Sequence, residues 1–307
     1  MANEETLLLE DQSLILTEET ILIGEESLML DEETIILNNE TIILEVKKPT
    51  NTNFENKFEP MEIDDPRIYY QKNNQLQIVP DVENHLNVLD IEALKLLYSP
   101  PPVNTELKYR IPVLPLKRRS TPKYSLVLDL DETLVHCSLL EIEDATIAFP
   151  IKCEQLECKV YVRVRPFFHY FIDRMSKLFE LIIFTAGKNF YARKLCDILD
   201  PKRKFIKHRL FREHCVGVDN FYIKDLSILG RDLAHVVIVD NSILSFAYQV
   251  DNGIPIKSWY QCRDDEELLN LIPFLENLVM RNEDVRPLIR EKFHVNDFIN
   301  RHQTIPF

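Results

Sequence analysis

The segment from Tyr124 to Asp129 constrains the fold more than any other part of the chain. It reads Tyr-Ser-Leu-Val-Leu-Asp, without glycine or proline, and this aromatic and branched apolar run is typical of a buried β-strand. The carboxylates of Asp129 and Asp131 follow two positions apart, and Thr133 lies two further on. Because ligands collect at the carboxyl ends of strands in open α/β sheets, we expect these side chains to face a crevice. An isolated Asp-x-Asp more often closes a polar turn, so this expectation depends on matching groups elsewhere.

Strand and helix patterns alternate after Tyr124, which predicts an α/β fold with a mostly parallel sheet and helices on both faces. The segment between Leu139 and Lys159 lacks a helical period, and we interpret it as a small β insertion over the site. The further predicted strands cover 159–164, 181–184 and 236–239, and the predicted helices cover 167–179, 189–199, 264–280 and 285–293.

Polar groups end three of these apolar strands. Thr185 follows the second strand and Asp240-Asn241 the third, while Lys224 lies between them in sequence. Together with the carboxylates after the first strand, these groups suit phosphoryl transfer. A carboxylate can attack phosphorus, and a second one can protonate the leaving oxygen. A magnesium ion held by carboxylates, with lysine and threonine nearby, can offset the phosphate charge.

The stretch Asp129 to His136 reads DLDETLVH, and the chain here resembles the haloacid-dehalogenase superfamily, in particular its carboxy-terminal-domain (CTD) phosphatases. Further matching stretches are YVRVRPFFHYFIDRM, HRLFREHCV, YIKDLSILGRDL, DNSILSFAYQ and NGIPIKSWY. The resemblance runs from about Ser120 to Phe298. It implies the superfamily's Rossmann-like parallel sheet with helices on both faces and a small β insertion.

The resemblance implies roles for the residues that match the family motif. Asp129 would be the nucleophile and Asp131 the general acid and base. Thr133 would orient the loop, Thr185 would bind the transferred phosphate, and Lys224 would screen the phosphoaspartate. Taken alone, a lysine such as Lys224 is an ordinary surface residue as often as it is a catalytic one.

The same resemblance implies a magnesium cofactor. Its ligands would be Asp129, the backbone carbonyl of Asp131 and Asp240, with Asn241 supporting the ion from the same turn.

For the substrate, the resemblance implies an arginine near the phosphate, Arg212, and an apolar pocket for a peptide proline at Tyr191, Leu139 and Ile151. Taken alone, Tyr191 at helical spacing is more often a core residue. The chain departs from the family at Gly187, where serine is usual, and at Leu139, where some members carry an aromatic residue. These departures concern the preferred substrate sequence rather than the chemistry.

The net charge of −14 belongs almost entirely to the first 46 residues, which hold thirteen acidic residues and no lysine or arginine. Residues 4–45 are six seven-residue units, from EETLLLE to NETIILE. Three consecutive apolar residues per unit do not suit a coiled coil, which leaves stacked short strands or a disordered acidic tail. The chain thus divides into this repeat (1–46), a linker with a docking helix at 82–98 (47–119) and a catalytic domain (120–307).

The resulting hypothesis is a magnesium-dependent protein serine/threonine phosphatase that forms an aspartyl-phosphate, acting on phosphoserine-proline sites such as those of the RNA polymerase II C-terminal domain. The alternatives are a phosphatase for small esters and a non-enzymatic scaffold.

We expect no direct nucleic-acid binding, because the catalytic part is nearly neutral, and no membrane span. The repeat is expected to mediate protein interaction or self-association. Cysteines without zinc spacing favour a soluble protein of the cytoplasm or nucleus, and Lys117-Arg118-Arg119 fits a solvated loop better than an import signal.

Overall fold

The computed structural model describes residues 22–23, 35–37, 40–42, 91–102, 112–153, 156–218 and 221–302. The helices are α1 (Ile91–Tyr98), α2 (Phe168–Ser176), α3 (Asn189–Leu199), α4 (Glu267–Arg281), α5 (Val285–Phe293) and α6 (Val295–His302). The strands are β1 (Leu22–Ile23), β2 (Ile35–Leu37), β3 (Glu40–Ile42), β4 (Tyr124–Leu128), β5 (Val135–Ser138), β6 (Ile147–Cys153), β7 (Leu156–Val164), β8 (Phe179–Phe184), β9 (Ile206–Leu210), β10 (Val216–Val218), β11 (Phe221–Ile223), β12 (Val236–Asp240) and β13 (Gly253–Pro255). None of the helices in the described ranges is long and apolar enough to cross a membrane.

A five-stranded parallel sheet forms the centre of the molecule, in the order β13-β12-β4-β8-β9. Every residue of β4, β8 and β12 is buried, because these strands lie inside the sheet and are covered on both faces. The predicted α/β fold with a parallel sheet is therefore confirmed. The three strands whose ends carry the predicted polar residues are direct neighbours, which brings those ends together.

The connections between strands place helices on both faces. From β4 the chain moves outward to β8 and then to β9, and it returns to β12 and β13 on the other side of β4. Because such crossovers are right-handed, α2 and α3 lie on one face, and the 3-10 segment Ile243–Asn252 between β12 and β13 lies on the opposite face. Helix α4 packs against α2, and α5 packs against the 3-10 segment.

The β insertion is an antiparallel sheet in the order β5-β7-β6 and is larger than the sequence predicted. Its strands begin at Val135 and end at Val164, so residues 159–164 form the second half of β7 rather than a separate strand. Val160 and Val162 on β7 are buried, while Tyr161 and Arg163 between them are partly exposed. The insertion therefore turns one apolar face toward the rest of the domain.

Helix α1 lies within the predicted docking helix, and residues 82–90 are outside the described ranges. Leu97 on α1 is buried, and the helix packs against the 3-10 segment Ile243–Asn252. The Tyr248 hydroxyl of that segment donates to the carbonyl of Pro101 at 2.9 Å. In the repeat, β1 pairs parallel with β2, and β2 pairs antiparallel with β3. The rest of the repeat lies outside the described residues, so both interpretations of it stay predictions.

At the amino end of the sheet, the buried carboxylate of Glu180 gathers a cluster of donors. It pairs with Arg231 at 2.8 and 2.9 Å, with His208 at 3.2 Å, with Lys117 at 3.3 Å and with the hydroxyl of Ser125 at 2.8 Å. Burial by itself raises the pKa of the Glu180 carboxyl. The bonds from Arg231, His208 and Ser125, with the charge of Lys117, outweigh burial and hold the pKa well below its ordinary value.

Replacement of Glu180 by glutamine is expected to lower the free energy of unfolding at pH 7 by about 3 kcal/mol, because the nearly buried guanidinium of Arg231 and the partly exposed ammonium of Lys117 lose their counter-charge. A depressed pKa in the folded state stabilises the protein above the unfolded pKa, about 4.3, and this contribution is lost as the pH falls further. The difference between wild type and Glu180→Gln should therefore shrink in acid. Urea unfolding at pH 7 and pH 3.5 measures it.

The control is Asp173→Asn, which removes an exposed ion pair with Lys177 and should cost less than about 0.5 kcal/mol. Equal stability of Glu180→Gln and wild type at pH 7, or a difference that persists unchanged at pH 3.5, contradicts the assignment.

Candidate active site

The turn after β4 buries three of the predicted catalytic residues, Asp129, Asp131 and Thr133. The backbone N–H of Asp129 donates to the carbonyl of Val239 on β12 at 3.0 Å, which ties the end of β4 to its neighbour. Glu132 has a positive φ of 55°, and its N–H donates to the carbonyl of Val135 at 2.8 Å. The chain thus reverses sharply after β4 and holds both aspartates at the carboxyl edge of the sheet.

The buried ammonium of Lys224 lies between two buried carboxylates. Its Nζ is 2.6 Å from Oδ1 of Asp129 and 2.7 Å from Oδ2 of Asp240. All three side chains are inaccessible to solvent. Lys224 follows β11, and its N–H is bonded to the carbonyl of Ser245 at 2.6 Å, so the backbone also holds it in place. One ammonium thus contacts both carboxylates and links the end of β4 to the end of β12.

Asn241 connects the turn after β12 to the turn after β4. Its Oδ1 accepts from the Thr133 hydroxyl at 3.1 Å, and its Nδ2 donates to the Ser258 hydroxyl at 3.0 Å. The other oxygen of Asp240, Oδ1, accepts from the N–H of Ser242 at 2.8 Å. Thr133 therefore lies where a loop-orienting residue would lie, and Asn241 is next to the charged core rather than within it.

The donor set fits a hard divalent cation. Asp129, Asp240 and the backbone carbonyl of Asp131 offer only oxygens, which magnesium prefers. Within the described part of the chain, no group of three or more histidine, cysteine, aspartate or glutamate side chains is arranged to hold a metal. Two carboxylates suffice for magnesium, because this ion usually keeps several of its waters and takes oxygens from a phosphate.

Two buried hydroxyls surround the carboxylate of Asp131. Thr185 Oγ1 donates to Oδ2 at 3.3 Å, and the Tyr191 hydroxyl donates to Oδ1. The Tyr191 oxygen is also 2.7 Å from Sγ of Cys137. Burial raises the pKa of the Tyr191 hydroxyl well above its ordinary value, and the charge of Asp131 raises it further. Burial likewise raises the pKa of the Cys137 thiol. Tyr191 and Cys137 thus stay protonated beside Asp131.

Arg212 packs against the turn after β8. Its backbone N–H donates to the carbonyl of Gly187 at 3.1 Å, and its Nε donates to the carbonyl of Ala186. The guanidinium lies 4.6 Å from the centre of the Tyr222 ring. The N–H of Gly187 donates to Oγ1 of Thr185 at 2.9 Å, so the turn that Arg212 contacts also holds Thr185.

The three residues predicted to form a proline pocket are all buried: Tyr191 is 0%, Ile151 3% and Leu139 7% exposed. The ring of Tyr191 stacks on Phe149 of β6, with centroids 6.4 Å apart and an angle of 13° between planes. Tyr191 thus faces Asp131 and the insertion in this structure, and its role toward a peptide proline stays a prediction.

Sequence reasoning missed the contacts of Phe149 and Cys137 with Tyr191. Phe149 lies two positions before Ile151 on β6, so the period-2 pattern of a strand places both on one face. Cys137 stands in the same relation to Leu139 at the end of β5. That spacing was the available signal.

Comparison with known proteins identifies the family. Residues 124–286 match the family model described as NLI interacting factor-like phosphatase. The chain is 54% identical over 211 residues to "CTD small phosphatase-like protein 3" of Caenorhabditis elegans, covering 69% of this chain and 74% of that protein.

Two further relatives match the same part of the chain. Identity is 52% over 202 residues with "CTD small phosphatase-like protein 2" of Dictyostelium discoideum, covering 66% of this chain and 34% of that protein, so this chain spans about a third of that relative's length. The chain is 41% identical over 190 residues to "Carboxy-terminal domain RNA polymerase II polypeptide A small phosphatase 1" of Homo sapiens, covering 62% of this chain and 71% of that protein. The family match spans more than half of the chain, with the whole site inside it, and the chain therefore belongs to the NLI interacting factor-like protein phosphatases of the haloacid-dehalogenase superfamily.

Proposed function

We propose that the protein is a magnesium-dependent serine/threonine phosphatase that works through a phosphoaspartate at Asp129. The observation that carries this proposal is the buried arrangement Asp129–Lys224–Asp240, with the carboxylate of Asp131 nearby on the same turn. A carboxylate at a strand end beside a fixed cation is suited to attack phosphorus, because the ammonium offsets the charge of the incoming phosphate.

In the first step, an oxygen of Asp129 attacks the phosphorus, the bond from phosphorus to the serine oxygen breaks, and Asp131 gives its proton to that oxygen. In the second step, a water attacks the phosphoaspartate and gives a proton to Asp131. The bond between phosphorus and the Asp129 oxygen breaks, and inorganic phosphate leaves. Asp131 thus ends each cycle protonated, as it began.

The other site residues act on charge and orientation. Lys224 contacts Asp129 and Asp240, while Thr185 and Arg212 would bind the oxygens of the phosphoryl group. Magnesium, when bound, neutralises phosphate charge and orients its oxygens. Asp129, Asp240 and the Asp131 carbonyl would hold it, and Asn241 would support it through the turn after β12.

We further propose a phosphoserine followed by proline in a protein as the substrate, such as a site in the RNA polymerase II C-terminal domain. The name of the human relative points to that polypeptide.

The test is a phosphopeptide panel assayed with magnesium and with excess chelator. Turnover should require magnesium, and kcat/KM should be higher for serine-proline phosphopeptides than for small phosphate esters, since contacts beside the phosphate add binding energy. Full turnover in chelator contradicts the metal assignment. A preference for small esters over every peptide would instead identify a metabolite phosphatase.

A further inference from the structure

The hydroxyl of Tyr191 is in direct contact with the carboxylate that the proposed mechanism uses as acid and base. It donates to Oδ1 of Asp131, while Thr185 donates to Oδ2. Each oxygen of Asp131 therefore has its own hydroxyl donor, from two elements that are separate in sequence. Tyr191 lies on α3, and Thr185 follows β8.

The position of this hydroxyl is fixed by packing. Tyr191 is fully buried, and its ring stacks on Phe149 of the insertion. A tyrosine has only two side-chain torsions. Because the Tyr191 ring stacks on Phe149 and its backbone is fixed in α3, the hydroxyl oxygen has little freedom to move. The insertion sheet thereby supports the group that touches Asp131.

The single proton of this hydroxyl has two neighbours, Asp131 and Cys137. The charged carboxylate is the stronger acceptor, so the Tyr191 proton belongs to Asp131, and Cys137 keeps its own proton. When Asp131 is protonated, a donor fixed on Oδ1 favours the proton on Oδ2. Thr185 can accept as well as donate there, so the proton is tolerated on that oxygen.

We propose that Tyr191 is a positioning residue whose hydroxyl holds the carboxyl group of Asp131 in the orientation that delivers its proton to the leaving serine oxygen. The inference rests on the proposed function, in which Asp131 is the acid. Tyr191 keeps its own proton throughout the reaction. Its ring packs on Phe149 of the insertion, and its hydroxyl contacts Asp131, so the insertion helps to fix the acid.

The variant Tyr191→Phe tests this role because it keeps the ring and its stack on Phe149 and removes only the hydroxyl. The readout is the ratio of kcat/KM for a phosphoserine peptide to kcat/KM for an aryl phosphate with an acidic phenol. Both values report steps up to the phosphoaspartate, but only the serine oxygen needs a proton to leave. The ratio should fall about 10- to 100-fold, as for loss of a hydrogen bond to a charged group.

Two comparisons make the outcome decisive. Asp131→Asn must also lower the ratio, and the double variant should lower it no further than Asp131→Asn alone, since Tyr191 acts through Asp131. If Asp131→Asn leaves the ratio unchanged, the acid role in the proposed function fails. If only Tyr191→Phe leaves it unchanged, the positioning inference alone is overturned.

A second peptide pair, phosphoserine-proline and phosphoserine-alanine, separates positioning from substrate binding. With positioning, Tyr191→Phe slows both peptides by the same factor. A loss confined to the proline peptide assigns Tyr191 to a proline pocket and overturns the inference. Equal losses on peptides and aryl phosphate mark a structural defect and overturn it as well.

Discussion

Asp129→Asn is expected to lower kcat by at least about 10⁴-fold, equivalent to about 5.5 kcal/mol in the barrier. The amide has the size of the carboxylate but cannot form the phosphoaspartate, and no neighbouring group replaces that bond. Single-turnover assays with a phosphopeptide measure the loss. Acid quenching should trap radioactive phosphate on the wild-type protein and none on the variant.

The fold should tolerate this change. Asp129 and Asp240 share one ammonium, so the amide removes one of two like charges at Lys224, and the backbone bond to Val239 is unaffected. The melting temperature of Asp129→Asn should therefore equal or exceed that of wild type. A variant that keeps a tenth of the wild-type rate would show that Asp129 is not the nucleophile.

Asp200→Asn is the matched control. Asp200 is buried like Asp129, but its carboxylate accepts the backbone N–H groups of Lys204, Phe205 and Ile206 at 2.8 to 2.9 Å. Its replacement should lower stability by about 1 to 3 kcal/mol, through weaker bonds to that loop. The rate should stay within about threefold of wild type, equivalent to about 0.7 kcal/mol.

The interior of the sheet was predictable, but its edges were not. Strands β4, β8 and β12 carry continuous apolar runs because they are covered on both faces. The edge strands β9 and β13 were missed. Strand β9 reads IKHRL, and its three central residues are polar and at least partly exposed, so it lacks the apolar run of a buried strand. Strand β13 is only three residues long and ends in proline, which a sheet tolerates at its edge.

Glu180 illustrates why the prediction began β8 two residues late. A charged residue in an apolar run signals the end of a strand when only local pattern is considered. In the fold, Arg231 and Lys117 come from distant parts of the chain to pair with Glu180, so the strand begins at Phe179. The sequence of residues 159–164 did not decide which sheet contains them, because alternating valines fit a strand of the insertion as well as a strand of the main sheet.

The site residues at strand ends could be predicted, because neighbouring parallel strands present their carboxyl ends at one edge. The bond from Tyr191 to Asp131 could not. This bond forms only because α3, the insertion and the turn after β4 lie next to one another in the fold. The spacing of residues along the sequence does not show that these three segments are neighbours.

Lys224→Met is expected to lower the free energy of unfolding by about 3 to 5 kcal/mol in chelator, since it leaves two buried carboxylates without their cation. For a domain of this size the melting temperature should fall roughly 10 °C. Magnesium should raise the melting temperature of the variant more than that of wild type, because an ion bound by Asp129 and Asp240 replaces the missing charge. Differential scanning calorimetry with and without magnesium measures both effects.

The double variant Lys224→Met/Asp240→Asn is the internal control. It removes one of the two carboxylates that Lys224 contacts, so it should be more stable than Lys224→Met alone, although it carries one more substitution. Strict additivity of the two single effects would mean that Lys224 and Asp240 do not interact. A melting temperature of Lys224→Met within about 2 °C of wild type, or one that magnesium leaves unmoved, would mean that the ammonium is not the counter-charge on which this buried core depends.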